Sequence, residues 1–98
     1  MSGPHSDDLS HDAHFEVVNR LGLHARAAML LAQTAGRFAA RVTVTKDAQT
    51  VDGKSLLELM LLQATRGTRL QIVAVGPDAV EAVKAIGDLI SERFHEAD

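Results

Sequence analysis

The stretch ARVTVTKDAQTVD, residues 40–52, alternates Val42 and Val44 with Thr43 and Thr45, then turns through Asp47 and Ala48. A period of two marks a half-buried strand, valines on the covered face and threonines on the open one. The two-residue turn folds QTVD (49–52) back as a hairpin partner. Beyond the hairpin, Ser55 to about Ala64 reads as a helix and RLQIVAV (69–75) as a strand. A last helix runs from about Asp78 to Phe94, with Ala79, Val80, Val83, Ile86, Ile90 and Phe94 three or four apart on one face. On the other side of the hairpin, HFEVVN (14–19) sets Phe15 and Val17 against Glu16 as a first strand. A turn through Gly22 leads to a helix from about Ala25 to Ala35. Leu30, Leu31, Thr34 and Phe38 recur there at helical spacing, with Gly36 as the expected C-cap. The order β-α-β-β-α-β-α has too few strands for two sheets. It predicts an α+β fold, a four-stranded antiparallel sheet with three helices packed on one face.

A chain of 98 residues suits one domain with a modest core. That domain is expected over 14–98, preceded by a disordered tail, MSGPHSDDLSHDA (1–13), rich in small and polar residues. The tail holds His5, Asp7, Asp8, His11 and Asp12, but without a defined ligand spacing, so no metal site and no cofactor is expected. A formal charge of −3 and three aromatic residues argue against nucleic-acid binding. The absence of cysteine excludes disulfides, thiolate metal sites and thiol nucleophiles. No apolar run is long enough to span a bilayer, and no signal-peptide pattern opens the chain. The expectation is a cytoplasmic, monomeric protein with no membrane partner.

The helix at Ala25 has an unusual start. In RLGLHARAAMLL (20–31) it opens on His24 and carries Arg26 in its first turn, with no acid between Asn19 and Leu31. A helix N-terminus presents unpaired N–H groups and partial positive charge, which together bind anions. Arg26 adds a donor suited to phosphate. The dipole and Arg26 both disfavour the imidazolium, so His24 is expected neutral and able to act as a nucleophile toward phosphorus. A phosphoryl group on His24 would bring its own anion to the N–H groups.

GLHARAA resembles the active-site motif of HPr, the histidine phosphocarrier family of the bacterial phosphotransferase system. The similarity runs over residues 14–96. VDGKSLLELM and ATRGTRLQIVAVGPDAVEAVKAI resemble later segments of that family, and NRLGLHARAAM with RFHEAD leans toward its nitrogen-related paralogues. The resemblance implies an open-faced β-sandwich. It implies that His24 accepts a phosphoryl group from enzyme I, charged by phosphoenolpyruvate, and passes it to an enzyme IIA component, with Arg26 stabilising the group. It makes the chain a stoichiometric carrier and not an enzyme. The family's usual proline after the arginine is replaced here by Ala27, which implies a less preorganised site.

DGKSLLELMLLQ carries two further signals. GKS suggests a phosphate-binding loop, but position 48 is Ala where that loop needs glycine, so nucleotide binding through such a loop is excluded. Ser55 and Glu58 form a capping-box pattern before an apolar helix. By resemblance, Ser55 is also a regulatory site for an HPr kinase/phosphorylase. LLELMLL (56–62) has six apolar residues in seven, more than one face can bury, so some must be exposed. The resemblance makes Leu56, Leu57 and Met60 a partner-docking patch, with Arg26 and Lys54 in a charged rim. Two other readings fit the residues: a regulator that binds partners according to its phosphorylation, and a ferredoxin-like binding module without phosphotransfer.

Overall fold

A computed structural model describes residues 9–96. Seven elements follow in the expected order: β1 (Ser10–Glu16), α1 (Ala25–Gly36), β2 (Arg41–Lys46), β3 (Gln49–Asp52), α2 (Leu56–Leu61), β4 (Arg69–Val75) and α3 (Ala79–Ser91). The strands form one antiparallel sheet in the order β1-β4-β2-β3. The Val/Thr alternation sets the register. Val44 lies opposite Val51 on one side and Ile72 on the other, and all three are buried. Thr45 lies opposite Thr50 on the open face, where their hydroxyls meet at 2.8 Å. Asp47, in the two-residue turn, takes a φ of 54°.

The three helices cover the valine face. Val42, Val44, Leu70, Ile72 and Ala74 meet Leu31, Leu59, Ile86 and Ile90 in a single core. Helix α1 packs on α2 and α3, and α3 packs on β1 and β4. Between α3 and α1, the Asp78 carboxylate accepts from the backbone N–H groups of Ala39 (2.9 Å) and Ala40 (2.8 Å). These bonds, Ala39's first, hold the Asp78 carboxyl below its ordinary value.

Five boundaries differ from the sequence reading, the first being the end of β1, at Glu16 and not Asn19. Strand β1 starts at Ser10, so residues 10–13 belong to the sheet and not to a tail. They pair with β4 from Ser10 opposite Val75 to Ala13 opposite Ile72. An edge strand is recruited by backbone pairing, so its polar side chains gave no alternation to read. His11 and Asp12 therefore lie on a strand, and Asp12 accepts from Gln71 at 3.1 Å. His5, Asp7 and Asp8 lie outside the described residues. Among the described residues, no three potential ligands gather as a metal site. Gly36 is the last residue of α1 and not a left-handed cap, because Arg37 and Phe38 close the helix onto Thr34 and Ala35. Helix α2 stops at Leu61, with Gln63 at a φ of 50°. Helix α3 stops at Ser91. The chain then makes one tight turn, Arg93–His95, with φ values of 60°, 52° and 62°, which tucks Phe94 into the core.

Gly87 of α3 is where β1 and α3 meet. A Cβ there would overlap the ring of Phe15. Gly87→Ala gains about 1 kcal/mol of helix propensity but overpacks a rigid ring at a typical cost of about 1–3 kcal/mol. Urea unfolding is expected to show a less stable variant, with recovery when Phe15→Leu is added.

Candidate functional site

The loop before α1 is built to hold one residue at the helix end. Asn19 is fully buried, and its amide nitrogen donates to Gly22 O at 2.7 Å. Gly22 has a φ of 68°, and a Cβ on it would stand 2.5 Å from Ala64 O, so only glycine fits this turn. Leu23 then donates its N–H to Ala64 O at 2.8 Å, which ties the loop to the chain leaving α2.

His24 follows as the N-cap of α1, with extended backbone (φ −76°, ψ −177°). Its Nδ1 accepts from the backbone N–H of Arg26 at 3.3 Å, and its own carbonyl accepts from Ala28 N at 2.8 Å. The helix end that lacked a conventional cap in the sequence is thus capped by the imidazole itself. By helix geometry the N–H groups of Ala25 and Ala27 have no acceptor one turn back. Arg26 is exposed and forms no ion pair among the described residues. Ala27 is fully buried inside the first turn.

The sequence reading missed two residues here. Glu96 lies at 2.9 Å from His24 Nε2, and the same carboxylate oxygen, Oε2, accepts from Asn19 Nδ2 at 2.6 Å. The surroundings of His24 are therefore not wholly positive, as the sequence alone suggested. The carboxylate is only 13% exposed and the imidazole 29%. Donation from Asn19, then from His24 and the Leu21 N–H, outweighs desolvation and lowers the Glu96 carboxyl below its ordinary value. Asn19 was signalled weakly, as an Asn three residues before a turn glycine. Glu96 had no local signal, because the tight turn after α3 brings it in from 72 positions away.

The other expected residues divide between the two ends of the α1–α2 pair. The Lys54 ammonium donates to Phe38 O at 2.8 Å, beyond the C-terminal end of α1, whereas Ala64 meets Leu23 at its N-terminal end. Lys54 is therefore not a rim partner of Arg26. Ser55 caps α2 through Glu58 N at 3.2 Å. The reciprocal half of the capping box is absent: Glu58 reaches Asp52 N at 3.0 Å, because Ser55 N already donates to Asp52 O. Helix α2 buries Leu59 and leaves Leu56 (38%), Leu57 (76%), Met60 (40%) and Leu61 (66%) exposed, while Leu21 and Met29 are exposed on either side of His24. Among the described residues no helix is long and apolar enough to cross a membrane.

Residues 12–92 match the family model described as the PTS HPr component phosphorylation site. The chain is 45% identical over 83 residues to phosphocarrier protein HPr of Neisseria meningitidis, covering 85% of this chain and 93% of that protein. It is 40% identical over 82 residues to phosphocarrier protein HPr of Cupriavidus necator, covering 84% and 92%. The crystal structure of HPr-C-His from Thermoanaerobacter tengcongensis superposes with a TM-score of 0.86 at 39% identity, covering 90% of this chain and 99% of that one.

The lowered Glu96 carboxyl has a measurable consequence. The unfolded chain binds this proton more readily than the folded one, so the Glu96 contribution is complete above 4.5, its ordinary value, and is lost as pH falls through the folded value. Urea midpoints are expected to drop less steeply below that pH in Glu96→Gln than in the wild type.

Proposed function

The chain belongs to the HPr family of phosphocarriers, and on that footing we propose that His24 takes a phosphoryl group from phosphorylated enzyme I and hands it to a histidine of an enzyme IIA component. The observation that carries this reading is the position of His24 Nδ1, a ring nitrogen already facing a helix N–H at the anion-attracting end of α1. The Nδ1 lone pair forms the new N–P bond as the donor's P–N bond breaks, its electron pair returning to the donor imidazole. Positioning and charge stabilisation supply the catalysis. The phosphoryl oxygens then replace Nδ1 as acceptors for Arg26 N and reach the N–H groups of Ala25 and Ala27. The Arg26 guanidinium supplies the counter-charge. Each molecule carries one group, so the protein is a stoichiometric carrier and not an enzyme.

The exposed leucines and methionines of α1 and α2, with Leu21, form the face that meets both partners in this reading. An apolar centre beside an exposed arginine suits brief encounters of moderate affinity. The protein acts as a cytoplasmic monomer. Ser55 is a second, regulatory phosphorylation position for an HPr kinase/phosphorylase. Mass mapping after incubation with that kinase and ATP is expected to find phosphate on Ser55, and none in Ser55→Ala.

Intact-mass analysis after incubation with phosphoenolpyruvate and enzyme I is expected to show one acid-labile phosphoryl group on the wild type and none on His24→Ala. Uptake by the His24→Ala variant ends the assignment. Arg26→Ala is expected to slow transfer about a hundredfold. Leu57→Glu, at the most exposed of the α2 leucines, is expected to slow it while the melting temperature stays unchanged.

A further inference from the structure

His24 is held from two sides, and the two contacts agree on where its proton sits. A neutral imidazole carries hydrogen on one nitrogen only. The Glu96 carboxylate can only accept, so the hydrogen between Glu96 Oε2 and His24 Nε2, 2.9 Å apart, belongs to Nε2. The Arg26 backbone N–H can only donate, so Nδ1, at 3.3 Å, presents its lone pair. Glu96 is itself held from behind by Asn19, a fully buried side chain whose amide nitrogen donates to both Gly22 O and Glu96 Oε2. The carboxylate arrives through three successive residues in the left-handed region, Arg93 to His95, a costly path for residues other than glycine. Glu96 also lies beyond residues 12–92, the stretch matched by the family model.

We infer that Glu96, buttressed by Asn19, is a positioning residue for the transfer: it fixes His24 in the Nε2–H form, so that Nδ1 alone faces the incoming phosphoryl group, and it balances the charge of the phosphorylated ring. When the Nδ1 pair bonds to phosphorus and the donor's P–N pair leaves with the donor, no proton has to move. Both nitrogens of His24 are then substituted and the ring is cationic. Glu96 sits across the Nε2–H from that charge, and Arg26 flanks the phosphoryl oxygens on the other side. This stabilisation grows as the N–P bond forms, which is the condition for speeding the step.

The inference rests on the phosphocarrier reading, and the experiment separates the two. The full chain and its Glu96→Gln and Glu96→Ala variants are compared by ring-15N NMR and by initial rate of phosphate uptake from phosphoenolpyruvate and enzyme I. The wild type is expected to show the Nε2–H form, and both variants a mixture of tautomers with uptake slowed roughly tenfold, the loss of one charged hydrogen bond. Variants that keep the wild-type rate and tautomer overturn the role of Glu96. So do variants slowed with the tautomer unchanged and the unfolding midpoint lowered, which makes Glu96 a structural strap. A wild type that takes no phosphate overturns the phosphocarrier reading and this inference together.

Discussion

An α-helix cannot pair its first backbone N–H groups from within, and that deficit at α1 is what the site is built around. Most helices cover it with an oxygen from Ser, Thr, Asp or Asn. Here the acceptor is a ring nitrogen, His24 Nδ1. That nitrogen cap has a lone pair that other chemistry can use. When that pair is taken by phosphorus, the oxygens arriving with it are better acceptors than the nitrogen they displace. In the proposed phosphorylated form the deficit would still be met, and the helix would not need to move between the two states.

The rest of the fold keeps that end in place. Helix α1 buries Ala27, Ala28, Leu31 and Ala35 on one stripe, so its first turn is anchored in the core from the third residue onward. The preceding loop is bound to the exit of α2 through Leu23 and Ala64, with Gly22 allowing the approach. The tight turn after α3 is offset by burial of Phe94 and by the bonds that Glu96 makes to Asn19 and His24. Three separate parts of the chain therefore converge on one imidazole.

Elements with side-chain periodicity were legible in the sequence. The Val/Thr alternation of β2, the apolar run of β4 and the stripe of α3 each reflect a core contact every second, third or fourth residue. Their order was enough for the architecture. The start of β1 was not legible, because Ser10 to Asp12 join the sheet through backbone bonds that any side chain permits. The ends of α2 and α3 were not legible either. Gln63 and Arg93–His95 turn left-handed without a glycine to mark it. Within the site, His24 and Arg26 stood out because a basic helix start breaks a local rule. Asn19 and Glu96 break none, and their pairing is a product of tertiary structure.

Ala27 shows how rigidity can be moved from one residue to its surroundings. Proline at this position would fix φ through its ring and remove an N–H. Alanine leaves φ free in the unfolded chain, but in the folded chain the residue is wholly enclosed, and its helical neighbours Ala28 and Leu31 are enclosed with it. The backbone of the first turn is then held by packing, at a cost in chain entropy that proline would have reduced. In return the turn keeps one more N–H aimed at the place where the phosphoryl oxygens would lie. What the site gives up in local stiffness it regains as a donor, and Glu96 restrains the ring from the opposite side.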